Sequence, residues 1–231
     1  MIHANCRVRL TADDFSFVVR VLSHSESDRV SLVKLLTDEE TRDQILDHEV
    51  LVRTILESPE RLPISPQFLF YILCRKVLKD TSVQSRDTSD FVASLLSGFV
   101  QTMQLGSPEE LGRRSRHYIS DMMVMLGKAN TREAFLLRSH IANYTLFISG
   151  FFAENVATRR QHRGAPDISF YEDVGRMNYR AASEYGEAKK FRLQSIYEEL
   201  AVSFHEVRLA LNDMAGRLLH MDGPRMPIIA A

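Results

Sequence analysis

The segment from Ser139 to Ala153, SHIANYTLFISGFFA, holds no charged residue, although charged residues make up 26% of the chain. An uncharged run of 15 residues between Arg138 and Glu154 has two physical solutions, lipid on every side or protein on every side. As a helix it spans about 22 Å, short of the roughly 30 Å hydrocarbon core of a bilayer. It also carries His140, Asn143, Thr145 and Ser149. A protein interior can hydrogen-bond those groups and lipid cannot. The segment is therefore expected to be an inner helix of a protein without a membrane span.

Helical phase sharpens that expectation. Leu137, His140, Ile141, Tyr144, Ile148, Phe151 and Phe152 gather on one side, and Ala142, Leu146, Ser149, Gly150 and Ala153 on the other. Short side chains on the second face predict that a neighbouring helix comes close there. A second long segment, 187–220, carries Leu193, Ile196, Leu200, Phe204, Val207, Leu211, Met214 and Leu218 at intervals of three or four. That stripe predicts a core-facing helix, with a coiled-coil-like seam between two chains as the alternative.

Helix starts recur along the chain. Thr11 with Asp14, Ser25 with Asp28, Thr37 with Glu40, Asn130 with Glu133 and Ser169 with Glu172 each set a capping residue three positions before an acid. Ser65–Pro66 and Ser107–Pro108 place a capping serine before a proline suited to the first helical position. Only RVRL at 7–10 reads as a short strand. Helices are predicted over 12–23, 26–36, 38–57, 66–79, 88–105, 108–127, 131–162, 170–185 and 187–220. The fold expected is all-α, a bundle of about eight or nine helices around two long central ones, 131–162 and 187–220, running antiparallel. Residues 1–221 are read as one helical domain and 222–231 as a tail. The polar stretch 79–90, KDTSVQSRDTSD, offers a subdomain boundary at 80–88 as the alternative. No repeated unit is found.

Composition removes some function classes. Twenty-nine basic residues against thirty acidic ones leave a net charge of −1, which disfavours nucleic-acid binding as the main task. Cys6 and Cys74 are far apart, with no CxxC pair, so neither a disulfide framework nor a zinc site is expected. The N-terminal residues hold no secretory h-region, and a cytoplasmic protein is expected.

Sequence signatures of catalysis are missing: no HExxH, GxSxG, P-loop or GxGxxG occurs. No catalytic residue, metal ligand or cofactor is assigned. Glu198, Glu199 and His205 form a loose carboxylate–histidine grouping placed by phase away from the apolar stripe. Two Arg clusters, Arg113, Arg116 and His117, and Arg159 and Arg163, are candidates for an anion or an acidic partner. The uncharged helix offers His140 and Tyr144, one turn apart, as polar groups in a pocket, with Arg159 and Arg163 at its mouth. The leading expectation is a non-enzymatic interaction or regulatory protein that meets a protein partner or a second copy through helical surfaces. The alternative is a helical bundle that binds, or acts on, a small molecule along 131–162.

Overall fold

The computed structural model describes residues 1–58, 62–103, 118–154, 156–157 and 166–219. Among them there is no strand, and no helix is long and apolar enough to cross a membrane. A 3-10 turn, Arg7–Arg9, takes the place of the expected short strand. It is followed by α1 (Ala12–Leu22), α2 (Glu26–Leu35), α3 (Glu39–Leu46), α4 (Glu49–Glu57), α5 (Pro66–Leu78) and α6 (Arg86–Met103). Then come α7 (118–126), α8 (Thr131–Phe151), α9 (Ile168–Ser183), α10 (Gly186–Lys190) and α11 (Gln194–Leu219).

Local chemistry accounts for most of these boundaries. Thr11 and Asn130 open α1 and α8 with complete capping boxes closed by Asp14 and Glu133. Ser25 and Ser65 cap α2 and α5. Two expected caps move. Asp38, not Thr37, caps α3, while the Thr37 hydroxyl donates back to Lys34 O. Asp167, not Ser169, caps α9, and the Ser169 hydroxyl donates to it. In both cases a carboxylate stands next to a hydroxyl and takes the helix amide, being the stronger acceptor.

There are more helices than expected because two long segments break. The segment 38–57 divides at Asp47 and His48, where the His48 ring accepts from the Val50 N–H and starts α4. The segment 187–220 divides after α10. Arg192 adopts φ 55°, and the N–H groups of Arg192 and Leu193 donate to Lys189 O and Ala188 O. This is a Schellman ending with arginine in the left-handed position that glycine usually takes. Its apolar contact is supplied by Leu193 and Ala188, both buried. The expected helix 131–162 is interrupted at Phe152, which leaves helical geometry; residues 153–154 and 156–157 are helical again, and 158–162 lie outside the described residues.

The core forms around α8, whose residues from Ile141 to Phe151 are all buried. On its bulky side Phe99 of α6 stacks on Phe147 at 4.5 Å, and Phe70 of α5 meets Phe151. On its small side lie α9 and α11. Gly150 faces Leu211 and the Arg208 carbonyl of α11. Gly175 of α9 sits where a Cβ would stand 2.3 Å from Phe204 and 2.7 Å from Thr145 Oγ1. Leu193, Ile196, Leu200, Phe204, Val207, Leu211 and Met214 are all buried within the chain, so the stripe is a core face rather than an exposed seam. Contacts fix the helix directions. Thr145 meets Gly175, Asn143 meets Tyr179, and Phe135 meets Tyr185 just beyond the end of α9, so α8 and α9 are antiparallel. Phe135 meets Tyr197 and Gly150 meets Leu211, so α8 and α11 are parallel. That overturns the antiparallel spine, because α9 reverses the chain between them.

The remaining helices add Phe17, Val18, Leu46, Leu51 and Ile55 to this core and are joined to it by charge as well. Asp14, fully buried, accepts from Thr11 N–H and from both the N–H and hydroxyl of Ser65. One carboxylate thus serves the positive ends of α1 and α5. Arg7 donates to Asp43, Asp87 and Asp90, and Arg86 and Arg75 converge on Asp47. The polar stretch after α5 is bound to α11: Ser82 N–H donates to Glu206, and Gln84 and Ser85 N–H to Glu199.

Three stability outcomes follow for urea titration. Gly175→Ala will cost about 2–3 kcal/mol, since the added methyl meets an aromatic ring walled on both sides. Asp14→Ala will cost about 3 kcal/mol by leaving buried donors at two helix starts without an acceptor. Arg192→Gly will raise stability by roughly 0.5 kcal/mol by relieving the left-handed backbone.

Candidate functional site

Where α7 crosses the first three turns of α8, the bulky side of α8 leaves the core and borders a cavity of about 880 Å³. Met122 and Met125 of α7, Leu136 and Leu137 of α8, and Ile2 supply apolar walls. The polar lining is Tyr118, Lys128, Glu133, Ser139, His140 and Asn143. From Glu133 to Asn143 the cavity follows α8 for about 15 Å at 1.5 Å per residue. Glu133 belongs to the capping box and is already an acceptor for Asn130 N–H. Lys128 makes no ion pair with any described residue.

His140 is the central polar group. Its Nε2 lies 2.7 Å from the Tyr118 hydroxyl, and its ring is 6.4 Å from the Phe99 ring. Burial holds the imidazole below its ordinary pKa, and burial raises that of the Tyr118 phenol. Near neutral pH the pair is therefore uncharged, a neutral phenol hydrogen-bonded to a neutral imidazole. Deeper along the helix, Asn143 Oδ1 accepts from the Tyr179 hydroxyl at 2.8 Å. The hydroxyls of Ser139 and Tyr197 are both buried and neighbour each other; burial pushes the Tyr197 phenol up to about 12, against the pull of the Ser139 hydroxyl. Chemically the site is an apolar slot with a short row of neutral hydrogen-bonding groups along one wall.

The expected site residues separate. His140 lines the cavity, whereas Tyr144 is buried behind it, its ring edge-on to Tyr118 at 5.1 Å and 62°. Arg159 and Arg163, Arg113, Arg116 and His117 lie outside the described residues. Glu198, Glu199 and His205 do not assemble. Glu198 accepts from Gln194, and Glu199 holds the loop before α6. His205 and Arg208 both pair with Glu172 of α9. No group of three His, Cys, Asp or Glu side chains suits a metal ion among the described residues. Sequence reasoning missed Tyr118 and Met122 as cavity residues. Their helix was read for its charged face, although both fall on its apolar side.

The titration of His140 has a definite sign. Its folded pKa lies below the unfolded value, so the stability it permits is complete above about pH 6.5 and is lost as pH falls through the folded pKa. NMR titration of the ring should give a midpoint below 6.5. His140→Gln, which cannot take the proton, should flatten that part of the stability–pH curve.

No family model, no curated protein and no solved structure matches the chain, so function is read from the geometry of its own residues.

Proposed function

We propose that the protein binds a small, mainly apolar molecule in the cavity between α7 and α8, with His140 as the polar contact. The observation that carries this reading is the cavity itself. At about 880 Å³ it falls in the range typical of small-molecule pockets, with an apolar lining and few polar groups. Binding is favoured over catalysis because Glu133 is engaged in its helix cap and Asn143 holds Tyr179. His140 has Tyr118 as its hydrogen-bonding neighbour. None of these is a nucleophile set against a base.

A second reading, an interaction protein working through its helical surface, is favoured by α2. Not one of that helix's ten residues is buried, although it carries Val30, Leu32, Val33 and Leu35. Cys6 and Cys74 are buried free thiols, which supports a reducing compartment, the cytoplasm. The hydrogen bonds between loop 82–85 and α11 support reading residues 1–221 as one domain.

An environment-sensitive apolar dye tests the cavity. Stoichiometric dye binding is expected. Leu136→Trp, at a partly exposed wall position, should fill the slot and weaken the dye about tenfold, or 1.4 kcal/mol. Val30→Glu on α2 should leave the dye bound. Dye affinity untouched by Leu136→Trp would remove the cavity from the account.

A further inference from the structure

The cavity between α7 and α8 changes character along its length. At its outer end Lys128, Glu133 and Leu136 are exposed, whereas at its inner end Ser139 and Asn143 are each only 3% exposed. The charged side chains of the lining, Lys128 and Glu133, both belong to the outer end. At the inner end hydrogen-bond donors are left over. Asn143 Oδ1 accepts from the Tyr179 hydroxyl, but the Asn143 amide nitrogen donates to no described residue, so both its N–H groups lack an acceptor. The neighbouring hydroxyls of Ser139 and Tyr197 meet no other described partner. Each carries one O–H, so a bond between them engages one donor and leaves the other over. A buried N–H or O–H without an acceptor is rarer than an oxygen with an unfilled lone pair.

We propose, resting on the small-molecule reading of this cavity, that its ligand is a neutral, extended molecule with a carbonyl oxygen at its leading end. That oxygen accepts from Ser139 and Asn143, and the apolar body lies along α8 towards Lys128. A carbonyl fits because it accepts and does not donate, so it meets the surplus without adding to it. An alcohol or an amine would bring a further donor. A carboxylate would set a full charge at a buried end where none of the lining side chains is charged, which costs far more than burying a carbonyl. The length of the slot, about 15 Å from Glu133 to Asn143, selects an extended body over a compact one. Met122 and Met125 on the facing wall adapt to a flexible chain.

Displacement of the apolar dye tests this with three probes: methyl octyl ketone, decanoate and the hydrocarbon butylbenzene. At about pH 8, where decanoate is ionised, the ketone should bind at least about tenfold more tightly than decanoate. Ser139→Ala should weaken the ketone about fivefold, the worth of one neutral hydrogen bond, and leave butylbenzene unchanged. Asn143→Leu combined with Tyr179→Phe removes both members of a buried pair. It should weaken the ketone about tenfold and butylbenzene less than about twofold. The infrared carbonyl band of the bound ketone should lie below its position in hexane and move back up in each variant, which a purely structural role for these residues would not produce. Failure of both the dye and butylbenzene to bind overturns the cavity reading and the carbonyl ligand with it. Butylbenzene binding while the ketone ignores Ser139→Ala, or decanoate binding more tightly than the ketone, overturns the carbonyl ligand alone. Because Ser139→Ala removes one hydroxyl and adds no bulk, it reads the site even if the double change fails to fold.

Discussion

A helical stretch with no charge on any side must be covered on every side, and the rest of this fold is arranged to provide that cover for α8 from Ser139 onward. Among the described glycines the closest approach is at Gly175, where α9 brings bare backbone against Phe204 of α11 and Thr145 of α8. Close approach there lets three helices share one apolar interior, with Tyr179 and Tyr197 in contact at its centre. The opposite side of α8 is closed by aromatic rings from α5 and α6. Within the uncharged stretch Thr145 donates to Ala142 O and Ser149 to Thr145 O, while Asn143 accepts from Tyr179 of α9. A core helix can hold such residues because none leaves a strong acceptor or donor facing hydrocarbon.

The N-terminal helices are fastened on different terms. Helices α1 and α4 bury Phe17, Val18, Leu51 and Ile55 in the common core, whereas α2 buries nothing. In addition, carboxylates on one element meet arginines or helix amides on another. Asp14 joins the starts of α1 and α5. Arg7 gathers Asp43, Asp87 and Asp90 from two helices. Arg86 and Arg75 share Asp47, and their hydrogen bonds outweigh the burial that acts to raise its pKa, leaving that carboxyl below its ordinary value. Such half-buried pairs specify where helices sit more than they add stability, since each partner loses water to make them.

The cavity and the groove between α1 and α2 are two places among the described residues where cover is incomplete. The first lies where α8 emerges from between its neighbours and only α7 stands beside it. The second lies on a helix that touches the molecule along one edge. An apolar lining with neutral hydrogen-bonding groups suits a small ligand.

Much of this was written in the residues themselves. The helical character, the caps at Thr11, Ser25, Ser65 and Asn130, the core stripe of α11 and the inner position of α8 all follow from interactions within one or two turns. The small face of α8 was legible too, although not which helix would meet it. His140 stood out as a polar residue in an apolar run, but its companions Tyr118 and Met122 come from another helix and carried no local sign. The same limit explains the antiparallel spine that became parallel, and the Glu198, Glu199 and His205 grouping that dissolved into three unrelated contacts. Sequence by itself determined which faces must be buried, because periodicity and capping act over a few residues. Only the tertiary structure decided which faces meet, because contacts such as Gly175 with Phe204, or Tyr118 with His140, depend on how distant helices share space.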